Sequence, residues 1–188
     1  MKKRFLRSTS VVLFVALVAA LLLADRITKI LAVEHLSDGK AIAFIPHVLD
    51  FVLVFNKGAA FGMMEGATLL FTVIAFAVSF GLLLYLLLTK SHAVLELLGI
   101  SLIAAGALGN AIDRIRFGEV TDFIHTLFIE FPVFNVADSC VTVGAILLAF
   151  YILGSEFFKP AASSKVEAKV SAKASSTSSS TPKEDSDA

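Results

Sequence analysis

Four stretches of the chain are almost wholly apolar: Val11–Ala24, Ala67–Leu88, Val94–Ile112 and Val136–Leu153. A helix rises ~1.5 Å per residue, so about 20 apolar residues cross a hydrocarbon layer of ~30 Å. The pattern predicts spans at about residues 9–32, 67–88, 94–112 and 136–155. Between them the polar residues cluster, and they carry the turn and strand signals. Asp38-Gly39 and Pro46 break the chain, and Leu49–Phe55 (LDFVLVF) is short, β-branched and aromatic, as a strand is. Val120–Phe134 reads as extended after the break at Gly118, with Pro132 ending it. Asn135 is placed to cap the fourth helix, with Asp138 three residues on in a capping-box position.

The first run has two readings. Lys2, Lys3, Arg4 and Arg7 before an apolar segment match a cleaved signal peptide. The alternative is an uncleaved anchor helix that continues to about Val33. Periodicity favours the anchor, because Asp25 and Lys29 fall at i and i+4, with Ile27, Ile30 and Leu31 filling the apolar turns. Counted from Ser8, Asp25 would lie ~25 Å along the axis, near the far membrane interface.

Composition agrees with the spans. The 188 residues are 57% hydrophobic, above the ~45–50% of soluble domains, and the mean hydropathy is +0.85. The formal net charge of zero gives no sign of nucleic-acid binding. Cys140 is the single cysteine, which excludes an internal disulfide and a Cys-rich metal site. Residues 1–158 form the expected membrane domain. Residues 159–188, rich in Ser, Ala, Lys and Thr without apolar periodicity, read as a disordered cytoplasmic tail. The fold class expected is a membrane all-α protein of four transmembrane helices with a small extracytoplasmic β element.

Charge distribution orients the spans. Basic residues on short loops favour the cytoplasm, and the N-terminus, Lys90 and the lysines from Lys159 onward would share that side. Both termini are then cytoplasmic, and Asp25, Asn56, Asp113, Asp122 and Asp138 collect at the outer-leaflet interface. Acids at a membrane edge are costly unless they serve a pathway, a pairing or a reaction. Two facing carboxylates can share a proton, one taking a proton from water and the other donating to a carbonyl oxygen. Asp138, in a first helical turn, sits where N–H groups favour its charged form. Asp122, between Val120 and Phe123, is desolvated, which favours its neutral form.

Other readings of these residues stay open on spacing alone. Asp138 can be only a cap and Asp122 only a turn residue. Asp122, His125 and Asp138 could hold a metal, although HExxH is absent. Cys140 with His125 could form a thiol nucleophile, but a Cys in an apolar helix more commonly packs as a small hydrophobe. Asp25 with Lys29, and Asp113 with Arg114, read as structural ion pairs. Asn56 and Asn110 can serve backbone groups where spans end. A cation or proton path through Asp25, Asp113 and Asp138 is the rival class. Against it, the acids cluster at one interface rather than stepping across the bilayer.

Five ordered segments carry a family resemblance: Asp25-Arg26-Ile27-Thr28-Lys29, Asn56-Lys57-Gly58-Ala59-Ala60-Phe61, Gly109-Asn110-Ala111-Ile112-Asp113-Arg114, Gly118-Glu119-Val120-Thr121-Asp122-Phe123-Ile124 and Phe131-Pro132-Val133-Phe134-Asn135-Val136-Ala137-Asp138. Together, across about Leu6 to Phe158, the chain resembles the lipoprotein signal peptidases, or signal peptidase II. The resemblance implies a four-helix aspartic endopeptidase of the bacterial inner membrane. Such an enzyme removes the signal peptide of diacylglyceryl-modified prolipoproteins just before the lipidated cysteine. It implies a catalytic pair at Asp122 and Asp138, and substrate-binding or supporting roles for Asp25, Lys29, Asn56, Gly58, Asn110, Asp113, Arg114 and Asn135. It also implies water as nucleophile, with no metal and no cofactor, and a small sheet and lid-like helix from about Glu34 to Phe61. The partners expected are diacylated prolipoproteins and membrane lipid, with no nucleic acid, and the chain is expected to act as a monomer. Two features depart from the family pattern: Arg26 stands where Gln is usual, and the tail after Pro160 has no counterpart.

Overall fold

A computed structural model of the chain describes residues 4–58 and 68–157. Its helices are α1 (Arg7–Leu36), α2 (Thr68–Leu88), α3 (Val94–Phe117) and α4 (Val136–Phe157). Among the described residues, four helices are long and apolar enough to cross a membrane. Five strands accompany them: β1 (Arg4–Leu6), β2 (Ile42–Ile45), β3 (Leu49–Asn56), β4 (Ser91–Ala93) and β5 (Val120–Thr126). The packing of these elements belongs to the unit that ends at Tyr151. The expected tail, residues 159–188, lies outside the described residues.

The first span is one unbroken helix through Asp25 and Lys29. At 30 residues it is longer than the 9–32 expected, rising ~45 Å and so outreaching a ~30 Å hydrocarbon layer. Its buried positions, Ser10, Phe14, Val18, Asp25, Lys29, Ala32 and Leu36, recur at spacings of three, four and seven residues and form one stripe. The apolar residues off that stripe, such as Val12, Leu23 and Ile27, are exposed, as lipid-facing side chains are. Asp38-Gly39 then turns the chain: Gly39, at φ 78°, donates its N–H to Leu36 O at 3.2 Å.

α3 is the central helix. Its expected end at Ile112 is five residues short, because Asp113, Arg114 and Arg116 remain helical and find partners there. Gly118 terminates it in the left-handed conformation (φ 78°), with its N–H on Arg114 O at 3.0 Å. Small residues bring α4 close against it. A Cβ at Gly106 would run into Ala137 O, one at Gly99 would lie 3.0 Å from Gly144 O, and one at Gly144 2.8 Å from Gly99 O. Backbones at that separation pack by van der Waals contact, as membrane helices without a hydrophobic driving force must. Since α4 passes Gly106 near its start and Gly99 at Gly144 and Leu148, it runs antiparallel to α3.

The three-stranded sheet has the order β2-β3-β5, antiparallel throughout. The β3 strand appears where LDFVLVF predicts it. The extended reading of Val120–Phe134 holds only to Thr126; beyond it Phe134 returns alone to bridge Ile124, donating at 3.0 Å and accepting at 2.8 Å. The lid-like helix expected between Glu34 and Phe61 is not found among the described residues of that range. Glu34–Leu36 finish α1, and residues 42–56 form the β2–β3 hairpin. Residues 59–61 fall outside the described residues.

A second, two-stranded sheet pairs β1 with β4 at the opposite end of the bundle. The sequence reading has no strand at either place, because three-residue strands in a basic leader and a short loop carry no periodicity. This end also explains the lone acid of the third span. The Glu96 carboxylate accepts from Tyr85 OH, from Ala93 N–H at 2.9 Å and lies 3.2 Å from His92 Nδ1. A buried carboxylate with that many donors is a satisfied helix-start residue.

Candidate active site

The sheet, the C-terminal ends of α1 and α3 and the start of α4 meet around Asp122 and Asp138. Asp122 sits on β5 opposite Val54 of β3. Between Phe51 and Val54 the β3 strand carries one extra residue, a bulge that re-aims the residues after it. Past it, Asn56 lies diagonal to Asp122 on the same face and donates from Nδ2 to Asp122 Oδ2 at 3.0 Å. Asn56 Oδ1 accepts the N–H of Gly58 at 3.0 Å, a local turn that fixes the amide's orientation.

Asp138 is at the third position of α4, and Asn135 is the cap, as the spacing predicts. The box is reciprocal: Asp138 N–H donates to Asn135 Oδ1 at 3.0 Å, and Asn135 N–H to Asp138 Oδ2 at 3.1 Å. The remaining oxygen, Asp138 Oδ1, accepts from Asn110 Nδ2 at 2.7 Å. The Asn135 side chain, wholly buried, also donates from Nδ2 to Asp122 Oδ1 at 2.6 Å and lies 3.1 Å from Asn110 Oδ1. Both carboxylates are therefore held at both oxygens, and one residue touches both.

Behind them sits a buried ammonium. Lys29 Nζ is 2.9 Å from each of Asp25 Oδ2, Asp113 Oδ2 and Asn110 Oδ1, and the residue is 1% exposed. Three acceptors match its three donors. Asp25 Oδ1 in turn accepts Ala137 N–H at 3.0 Å, satisfying another free donor of the α4 start, and Asp113 Oδ2 accepts Thr121 N–H at 3.3 Å. The i,i+4 pair Asp25–Lys29 thus forms as read from the sequence. The expected Asp113–Arg114 pair does not: adjacent helical residues point to different sides. Asp113 pairs with Lys29 and, at 3.8 Å, with Arg26. Arg114 donates to Gly58 O at 3.2 Å and lies over the Phe71 ring at 5.3 Å.

Asp122 and Asp138 line one cavity of about 420 Å³ with Asn56, Gly58, Asn110 and Arg114. Its apolar wall is Phe131–Phe134 and Val143, with Ser139 and Thr142 of α4 beside Asp138. The sequence reading misses Thr142, although Asp138 and Thr142 are i,i+4 on one helix face. It gives Phe131–Phe134 as the end of a strand and as part of a resemblance segment, without a place in the cavity wall. Burial pushes the Asp122 carboxyl up to about 6; Asn56 opposes this and the Asp138 charge adds to it. Four carboxylates (Asp25, Asp113, Asp122, Asp138) share the cluster with three cations (Arg26, Lys29, Arg114). Counted formally, the cluster carries one more negative charge than positive.

The alternative constellations are not assembled. His125 is three residues from Asp122 on a regular strand, so it points to the opposite face, and its register partner is Asp50. It lines a different groove, with Leu127–Pro132. Among the described residues no three His, Cys, Asp or Glu side chains gather as a metal site. Cys140 is buried in α4, two residues from Asp138 and so turned away from it.

The signal peptidase (SPase) II family model matches residues 17–154. The lipoprotein signal peptidase of Enterococcus faecalis is 39% identical over 141 residues, 74% of this chain and 88% of the relative. That of Streptococcus pneumoniae is 38% identical over 156 residues, covering 83% of this chain and 97% of the relative. A solved bacterial membrane enzyme, determined by the in meso method at 2.3 Å resolution, superposes with a TM-score of 0.72 at 32% identity. The superposition covers 85% of this chain and 97% of that one. A four-helix membrane fold, two amide-held aspartates in one cavity, and matches of this extent agree: the chain belongs to the signal peptidase II family.

Proposed function

We propose that Asp122 and Asp138 are the catalytic pair of a membrane aspartic endopeptidase that cleaves the signal peptide of diacylglyceryl-modified prolipoproteins just before the lipidated cysteine. The observation that carries the assignment is their shared cavity, in which each carboxylate accepts hydrogen bonds at both oxygens and Asn135 bonds to both. Asp138, at the start of α4, is the ionised partner that takes a proton from water. Asp122, its carboxyl held near 6 by burial, is the protonated partner that donates to the scissile carbonyl oxygen. Water adds; as the tetrahedral carbon collapses, Asp138 gives the proton it took from water to the leaving nitrogen, and the former carbonyl oxygen returns its proton to Asp122. No covalent intermediate with the chain forms.

The remaining residues position this pair. Asn56 and Asn135 orient Asp122, Asn110 orients Asp138, and Lys29 with Asp25 and Asp113 fixes Asn110 and the start of α4. Arg114 and Gly58 edge the cavity where an extended substrate backbone would pass. The lipid chains of the substrate lie in the bilayer beside the helices, with the signal helix alongside. The proposal includes both termini on the cytoplasmic side of the bacterial inner membrane, the site at the outer-leaflet interface, and a monomeric enzyme. The basic residues near the N-terminus and Lys90 support the orientation, since β1 pairs with β4 at the end of the bundle away from the site.

The test is cleavage of a diacylated lipobox peptide by the purified full-length chain in detergent, with product masses determined. A cut immediately before the lipidated cysteine, unchanged by a chelator, is expected. No cleavage, or activity lost to EDTA and restored by zinc, would remove the aspartic reading.

A further inference from the structure

A second groove lies behind the sheet, outside the catalytic cavity, with the already paired Lys29 in its wall. It encloses about 400 Å³ between α1, β3, the end of α3 and β5. Strand alternation separates it from the catalytic cavity: Val120 and Asp122 face the cavity, whereas Glu119 and Thr121 face the groove. Its charges are of both signs. Arg26 lies over the Phe117 ring at 5.2 Å, with one nitrogen 3.8 Å from Asp113. A guanidinium has five N–H donors, so this single long pair leaves most of them for another partner. Glu34 and Glu119 form no ion pair among the described residues. Ile30, Val33, Phe55 and Phe117 supply exposed apolar walls.

A bare anion would meet two carboxylates here, and a bare cation a guanidinium. A purely apolar ligand would leave the two carboxylates unpaired and the guanidinium with only its long pair to Asp113. A phosphate, an ammonium and hydrocarbon in one molecule satisfy all of them. Their order fits too. Arg26 and Glu34 are eight residues apart on α1, ~12 Å along the axis, with Arg26 nearer the long apolar run. In a phospholipid the phosphate is bonded to the glycerol and the ammonium is at the free end. Carboxylates accept hydrogen bonds from a primary ammonium, which ethanolamine has and choline lacks. We propose that this groove binds the headgroup of an ethanolamine phospholipid of the surrounding bilayer, with its phosphate on Arg26 and its ammonium on Glu34 and Glu119. The proposal rests on the site end of the bundle lying at the membrane surface, and not on the cleavage chemistry.

Native mass spectrometry of the full-length protein, released from detergent with lipids of matched chains, tests it. The ethanolamine lipid is expected to bind roughly tenfold more tightly than the choline or glycerol lipid. The double variant Glu34→Gln/Glu119→Gln should bring it down to the choline level, and Arg26→Gln should weaken it roughly tenfold. Equal retention of the three lipids by the wild type, or a preference that survives in the double variant, overturns the proposal. Soluble phosphoethanolamine that competes as well as the lipid would assign a free-phosphate site and overturn it also. Thermal unfolding in detergent checks each variant. If Arg26→Gln does not fold, Arg26→Lys keeps the charge and loses the fork, and an unchanged lipid affinity there counts against the proposal. Because cleavage is not the readout, its outcome is separate from that of the peptidase assignment.

Discussion

Asn135 donates from Nδ2 to Asp122 Oδ1 at 2.6 Å while its Oδ1 accepts the N–H of Asp138 at 3.0 Å. The two functions of this side chain separate by substitution. Asn135→Ala should cost ~0.5–2 kcal/mol of stability for the lost cap and also lower the cleavage rate. Asn135→Ser keeps a capping oxygen but is too short to reach Asp122. It should recover the stability and not the rate. A thermal unfolding series beside single-turnover cleavage distinguishes these, and a serine variant of full activity would show that the Asn135–Asp122 bond does not position the pair.

Asp122→Asn and Asp138→Asn should each lower single-turnover cleavage by ~10²–10⁴-fold with the protein still folded and inserted. Asn keeps the volume and one acceptor oxygen but cannot exchange the shared proton. The pair titrates as a unit, so either change removes the exchange. Turnover within a few-fold of wild type in either variant would contradict the assignment.

Stability should respond to pH through Asp122. Its carboxyl rises from the ordinary 3.8 to about 6 in the folded chain, so the native state binds the proton more tightly than the unfolded state. This contribution is full below about pH 4 and is lost as pH rises through about 6. At ~1.36 kcal/mol per tenfold change in proton affinity, it amounts to up to about 3 kcal/mol. Asp122→Asn has no such proton, so its stability relative to wild type should increase between about pH 4.5 and about pH 7.5. Parallel unfolding curves in detergent at the two pH values measure this; a constant difference would rule it out.

Removing one charge from the buried cluster should harm folding before chemistry. Lys29→Met leaves Asp25 and Asp113 without their shared ammonium, and breaking such a buried pair costs about 3–5 kcal/mol. The yield of folded protein should drop, and Asp25→Asn or Asp113→Asn should show the same effect to a smaller degree. A Lys29→Met variant with wild-type unfolding temperature would show that the cluster carries no net stability.

A reporter fused after Leu153 should be active only on the cytoplasmic side. Activity solely outside the inner membrane would reverse the orientation proposed from Lys90 and the N-terminal basic residues.

The helices and the site were legible to different degrees. The apolar runs fixed where spans lie because lipid demands length and composition, and little else. Their ends were less legible. The third run stopped at Ile112 by composition, yet α3 continues to Phe117, since Asp113 and Arg114 find partners only in three dimensions. Asn135 and Asp138 were readable because a capping box is local. The bond of Asn56 to Asp122 depends on strand register and a bulge, which have no signature in the residues themselves. The Asp113–Arg114 pairing fails for the same reason: adjacency in the chain is not adjacency in space. The β1–β4 pairing was invisible, because three-residue strands have no pattern.

The Lys29 node also bears on when the enzyme becomes competent. Its ammonium belongs to α1, one of its acids to α3, and Asp25 caps α4 through Ala137. Until α4 is inserted, neither Asp138 nor the Asn135 amide that holds Asp122 exists in the membrane. With Asp122 and Asp138 as the proposed pair, a partly made or misinserted chain would have no half-working site to cut neighbouring signal sequences. Completion of the bundle would then be the activation step.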